Sequence, residues 1–259
     1  AYKNEQTALF TQINNDEDRK KKKDKVRYGY IDGLSFTVNG KAAVVEPHPN
    51  EQYIDIVKVV LPSRLLPSDS ILITTPFKVQ LPSYFSRSGF ADGEFMACQW
   101  YPKPAVYDKN GWHEFPYLDM GEFYSEYATY VVNITVPAEY IVGATGTLLT
   151  KTELDEYKRL GAVNAANRAA KPLMYVAADK KGKKTLTYMQ DNVPDFAWFA
   201  DKDFEVMHDT MQLPTHTVEL YAYHFKNKNN SWYSVMSTIK SAIRSKSRLM
   251  GEYPYEIMS

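Results

Sequence analysis

The strongest constraint on how this chain folds is a two-residue alternation. Ala128, Tyr130, Val132, Ile134 and Val136 occupy every second position until Pro137 stops the pattern. Successive side chains of an extended strand point to opposite faces, so these five groups share one face. A helix would scatter them around its circumference. Ile71, Ile73, Thr75, Phe77, Val79 and Leu81 repeat the pattern, with Thr74, Lys78 and Gln80 on the other side. Pro76 lacks an amide proton, which predicts an edge strand or one broken by a bulge. Leu34, Phe36 and Val38 lead into Asn39-Gly40, a dipeptide that tolerates positive φ in a tight hairpin turn, with the return strand expected from Ala43 to Val45.

Further strands are expected over Tyr53–Val60, ended by Pro62, and over Tyr140–Leu149. Leu186 with Tyr188, and Phe196 with Trp198, mark two more, and Val218–Phe225 reads as the last. Residues from Phe85 to Pro116 are rich in Gly, Pro and aromatics without a steady period, predicting a long ordered excursion over one face of the sheets. Glu153–Ala170 is the first helical stretch, with Gly161 weakening its middle. Ser231 is expected to cap a second helix carrying Trp232, Val235, Met236, Ile239 and Ile243 on one side, with Gly251 and Pro254 ending it. Lys240, Arg244 and Lys246 lie mostly off that stripe. Many strands followed by one solid helix predict a mainly β chain, a β-sandwich joined to the first element of an α-rich or α+β domain.

Composition narrows the function classes. Aromatic residues reach 14%, mostly Tyr, in keeping with half-buried pleated surfaces. The formal net charge is zero, which argues against a broad electrostatic grip on nucleic acid or anionic lipid. The run from Asp16 to Lys25 mixes both signs and reads as a solvated loop. Cys98 is the single cysteine, so no internal disulfide forms and a disulfide-dense scaffold is excluded. No apolar stretch approaches the roughly 20 residues that span a bilayer. The opening residues do not read as a signal peptide.

A hydrolytic metal needs ligands whose lone pairs meet at one point, which on a helix means His at i and i+4 with Glu beside the first. Of His48, His113, His208, His216 and His224, only His113 is followed by Glu; its i+4 residue is Tyr117, and Pro116 intervenes. Satisfied or surface histidines are the reading favoured. There is no Gly-x-Ser-x-Gly elbow and no phosphate-cradling glycine loop, and Gly143-Ala144-Thr145-Gly146 is too short to be one. Cys98 reads as a buried small hydrophobe rather than a reactive thiol. Asp119, Glu122 and Glu126 are neighbours in sequence, with solvent-facing or structural roles favoured. Trp100, Tyr101, Trp112 and Tyr117 could stack on sugar faces, so a stand-alone glycan- or peptide-binding β-sandwich is the alternative reading, although core packing explains most such aromatics.

Several ordered blocks resemble the gluzincin aminopeptidase family, of aminopeptidase N type, and especially its divergent bacterial branch. They are Gln99-Trp100-Tyr101-Pro102-Lys103-Pro104, Tyr107-Asp108, Gly111-Trp112-His113, Gly121-Glu122-Phe123-Tyr124 and Glu126-Tyr127. Ile134-Thr135-Val136-Pro137, Ala144-Thr145-Gly146, Pro194-Asp195-Phe196-Ala197-Trp198 and Tyr253-Pro254-Tyr255 follow in the family's order. The resemblance implies a saddle-like β-sandwich N-terminal domain over residues 1–213, incomplete at its start. It also implies the beginning of a thermolysin-like metal domain over residues 214–259, cut before the zinc helix. On that basis the chain itself holds no cofactor and no catalytic residue, while its parent holds zinc and cleaves peptides, with a periplasmic or extracellular location. Its partners are the rest of the parent chain and a peptide substrate, with no nucleic acid and no membrane span. Family members place a Gln-x-Glu-Ala or Gln-x-Gln-Ala segment beside the substrate's free amino group. Gln99 corresponds to its first residue, with a structural role favoured over substrate contact, because Tyr101 and Pro102 depart from the acidic-or-amide residue and the Ala.

Overall fold

The computed structural model describes residues 3–14, 28–83, 87–118, 120–121, 124–166, 172–179, 181–225 and 231–259. The mixed-charge loop over 16–25, together with Asp119 and Glu122, lies outside them. In chain order the strands are β1 (Tyr30–Asp32), β2 (Thr37–Val38), β3 (Lys41–Ala42), β4 (Val44–Pro47), β5 (Val57–Val60), β6 (Ile73–Thr74), β7 (Lys78–Gln80), β8 (Gly89–Ala91), β9 (Glu94–Ala97) and β10 (Val106–Asp108). There follow β11 (Gly111–His113), β12 (Ala128–Pro137), β13 (Ile141–Ala144), β14 (Thr147–Leu148), β15 (Lys183–Val193), β16 (Trp198–Asp201), β17 (Glu205–Gln212), β18 (Thr217–His224) and β19 (Ile257–Met258). The helices are α1 (Ala8–Asn14), α2 (Lys151–Ala166) and α3 (Val235–Met250), with a 3-10 turn over Ser231–Ser234. The chain is mainly β and divides into two units: Ala1–Asp92 with Ala97–Glu126, and Gly93–Met96 with Tyr127–Ser259.

The first unit is built from small sheets. β2 and β3 close as a two-residue hairpin, with Asn39 at φ 48° and Gly40 at φ 79°, both in the left-handed region that such turns require. The alternating segment around Pro76 is broken as expected: β6 pairs with β2, while β7 pairs with β1. Within the expected irregular excursion the structure places short strands, among them the hairpin β10–β11, whose turn is fastened by the Asn110 amide donating to Asp108 Oδ1 at 2.7 Å. Helix α1 was not expected, being too short to show a period. Leu9, Phe10 and Ile13 on it are fully buried with Tyr117 packed against them, and the Phe10 amide reaches Thr7 Oγ1 at 3.4 Å as an N-terminal cap.

The second unit is organised around the long antiparallel pair β12–β15. Ile134 and Val136 are buried, Tyr130 and Val132 half-buried, and the residues between them exposed, so the alternation read from sequence becomes an inside and an outside. On the outer face Thr135 and Thr185 form a hydroxyl rung at 2.8 Å, and Thr187 donates to Asn133 at 2.7 Å. The segment Tyr140–Leu149 divides: β13 pairs with β16, and β14 with β15. The break falls at Gly146, where φ is +86° and a Cβ would meet Met189 O at 2.4 Å.

Three expectations for the C-terminal part are corrected. The stretch Glu205–Gln212 is a full strand, β17, with no alternation to announce it, since Glu205, Val206 and Met207 are all buried. Val218–Phe225 is not the last strand, because β19 returns parallel to β18. Trp232 does not extend the apolar stripe of the last helix; it lies in the 3-10 turn and stacks on His224, and the N-terminal cap position is Ser234, without a side-chain capping bond. The stripe itself forms: Met236 and Ile243 pack with Met207, Met211, Val218 and Leu220. Residue 213, where a domain boundary was expected, falls in the turn joining β17 to β18, both in the second unit.

Candidate functional site

Gln99 lies two residues beyond the end of β9, in the segment where the strand has ended. Its φ is +53°. A side chain with a Cβ pays about 1–3 kcal/mol to sit there, and Gln lacks the short polar group that lets Asn or Asp do so readily. Its amide oxygen, Oε1, is buried and has no hydrogen-bond partner among the described residues. Such an acceptor costs roughly 1–3 kcal/mol when left unsatisfied.

The surroundings are aromatic. Trp100 lies 6.0 Å from Phe77 and 5.4 Å, edge-on, from Tyr101, ring centroid to ring centroid. Lys103 Nζ sits 6.0 Å from the Tyr101 ring centre. Further along, Tyr107 and Trp112 face each other across β10–β11 at 4.9 Å and are 66% and 62% exposed. Tyr117 is half-buried, its amide donating to Asp55 Oδ2 at 2.9 Å. Cys98 is half-buried, and the Ser88 hydroxyl bonds both sides of its backbone: it donates to Cys98 O at 2.5 Å and accepts from Cys98 N at 3.2 Å. Sequence reasoning missed Ser88, because nothing local announces a partner ten residues away.

Each histidine has one carboxylate neighbour. His48 lies 3.8 Å from Glu114, His113 2.8 Å from Asp108, His216 3.3 Å from Glu252, and His224 4.0 Å from Glu205; His208 contacts Glu219. His113 and its neighbouring Asn110 amide hold the Asp108 carboxyl below the usual carboxylate range. The 2.8 Å approach of His113 Nε2 to Asp108 nevertheless lies outside the angles of a well-directed hydrogen bond. Among the described residues no three His, Cys, Asp or Glu side chains converge on one point, so these donors do not form a zinc cradle.

In the second unit Lys184, Glu153 and Tyr175 form a cluster of their own. Lys184 Nζ lies 2.5 Å from Glu153 Oε1 and 4.0 Å from the Tyr175 ring centre, and the Tyr175 hydroxyl donates to Glu153 Oε2 at 3.4 Å. Burial lowers the Lys184 pKa from its ordinary value, the Glu153 carboxylate opposing it, and burial with the Glu153 charge pushes Tyr175 up to about 12. These groups fasten α2 to β15.

No protein-family model matches this chain, and no curated protein sequence does. Solved structures do match. The M1 zinc metallopeptidase from Deinococcus radiodurans superposes with a TM-score of 0.52 at 20% identity, covering 88% of this chain and 45% of that one. A variant of the Deinococcus radiodurans protein bound to a Tyr-Ser-Ala substrate gives 0.53 at 18% identity, with the same coverage. A two-domain M1 zinc metallopeptidase bound to L-arginine gives 0.52 at 19%, again covering 88% and 45%. The fold occurs in M1 zinc metallopeptidases. Identity at this level speaks to fold alone, and the chain spans less than half the length of the structures it matches.

Proposed function

We propose that this chain is a non-catalytic, β-rich part of a zinc aminopeptidase-like protein, where it walls one side of a peptide cleft and packs on the metal domain. In this reading residues 1–213 form the saddle-like N-terminal β-sandwich and residues 214–259 open the thermolysin-like domain. Zinc, general base and peptide hydrolysis belong to the rest of the parent, acting outside the cytoplasm. The supporting observation is that 88% of the chain shares the fold of M1 zinc metallopeptidases while spanning 45% of their length. The ordered sequence blocks from Gln99 to Tyr255 point the same way.

Within this reading Gln99 touches substrate. A free ammonium group, the feature that separates an N-terminal residue from the interior of a peptide, would pair with the Gln99 amide oxygen once that buried atom is uncovered. Tyr101 and Pro102 depart from the family segment, so the second contact to the amine, if made, comes from elsewhere.

The experiment is elemental analysis and turnover of the purified chain. It should hold no stoichiometric zinc and cleave no aminoacyl reporter; chelator-sensitive turnover would overturn the proposal. The alternative, a stand-alone glycan- or peptide-binding module, draws on the exposed Tyr107–Trp112 pair. Direct cross-strand pairing already explains that pair as support for an isolated two-stranded hairpin. A glycan array on which the chain binds and Trp112→Ala does not would restore it.

A further inference from the structure

We infer that Ser88 is the positioning residue for Gln99: its hydroxyl clamps the Cys98 peptide and so holds Gln99 in the left-handed backbone region with its amide oxygen free to accept. The substrate half of this statement rests on the reading of Gln99 given above; the backbone half does not.

Gly, Asn and Asp enter the left-handed region with least strain, and position 99 is none of them. Something outside the residue therefore has to hold φ at +53°. The torsion φ of Gln99 is measured from the peptide plane that contains the Cys98 carbonyl. Fix that plane, and the orientation from which Gln99 departs is fixed as well. Ser88 grips Cys98 at both ends, donating to its carbonyl oxygen at 2.5 Å and accepting from its amide at 3.2 Å. Ser88 is itself only 6% exposed, so water does not compete freely for its hydroxyl. A buried serine whose one hydroxyl serves two backbone groups ten residues away has little conformational choice, and it passes that rigidity to the next residue. A ligand-contacting amide gains most from this arrangement, because a group already oriented loses less entropy on binding.

Three measurements on the chain decide the matter. In NMR spectra of the wild type, Gln99 should show the carbon shifts and strong amide-to-α-proton contact of a left-handed residue. Ser88→Ala should abolish these while leaving the other strand signals in place, and their survival in the folded variant would overturn the inference. Should Ser88→Ala alone fail to fold, unfolding of the Ser88→Ala, Gln99→Gly double variant beside Gln99→Gly still decides. Glycine needs no clamp to adopt positive φ, so the loss caused by Ser88→Ala should shrink in the Gln99→Gly background; an equal loss in both backgrounds would count against the clamp. Titration with L-alaninamide, with its N-acetyl derivative as control, separates the two halves. The free amine alone should shift the Gln99 side-chain resonances, about tenfold more weakly in Ser88→Ala. No response in the wild type would remove the amine contact proposed for Gln99, leaving Ser88 to be judged by the backbone readouts.

Discussion

Lys184 and Glu153 show how one buried contact sets the cost of change. Their side chains are 14% and 10% exposed, so removing one leaves the other desolvated without its counter-charge. Lys184→Met should destabilise the chain by about 3 kcal/mol, and adding Glu153→Gln should recover part of that loss. Urea unfolding of the two variants measures both. Ionisation adds a second consequence at this scale. Burial raises Tyr157, Tyr188, Tyr221 and Tyr223 above the ordinary phenol value of 10.0. A group whose folded pKa is raised keeps its proton longer in the folded state than in the unfolded one. Stability from these tyrosines is therefore complete below pH 10 and lost as pH rises above it. Lys184 acts in the opposite sense, since its lowered folded pKa makes stability rise toward 10.5, but Tyr140, Tyr175 and Tyr253 are raised as well, so the tyrosines outweigh it. Phenolate absorbance should show the buried tyrosines appearing only in a cooperative unfolding step. A single smooth titration of all the tyrosines, with the fold intact, would refute this.

At the scale of elements, two glycines matter for unlike reasons. Gly161 lies in the middle of α2, where sequence alone reads it as a weak point. The helix instead passes so close to β17 that a Cβ there would meet His208 Cβ at 2.4 Å and its amide nitrogen at 2.5 Å. Gly161→Ala should therefore destabilise by about 2 kcal/mol despite the better helix propensity of Ala. At Gly40 a Cβ would meet nothing within 4 Å, so the whole cost of Gly40→Ala comes from its φ of +79°, about 1 kcal/mol. Thermal unfolding should rank Gly161→Ala as the more damaging; the reverse order would mean that α2 shifts away from β17 without penalty. The hairpin was legible because its turn chemistry is local. The role of Gly161 was not, because the atom that excludes a side chain belongs to a residue 47 positions later.

At the scale of the whole molecule, the C-terminal end of α3 presents Leu249 and Met250 to solvent, 76% and 84% exposed, beyond the buried Met236 and Ile243. Such an apolar end favours association. Light scattering at rising concentration should show the chain self-associating and Leu249→Lys with Met250→Lys reducing it; a monomer throughout would set the idea aside.

What the sequence determined by itself was whatever neighbouring residues encode together: the two-faced β12, the Asn39-Gly40 turn, the break at Pro76, the stripe on α3. Each depends on a period or a dipeptide conformation spanning a few positions. Tertiary structure alone decided the rest, from β17, whose three consecutive buried residues carry no period, to the short α1. It also decided the surroundings of Gln99. The sequence nominated that residue by resemblance, but its backward-turned backbone, its unpartnered oxygen and the Ser88 hydroxyl behind it arise from contacts between segments, and a linear pattern does not specify which segments will meet.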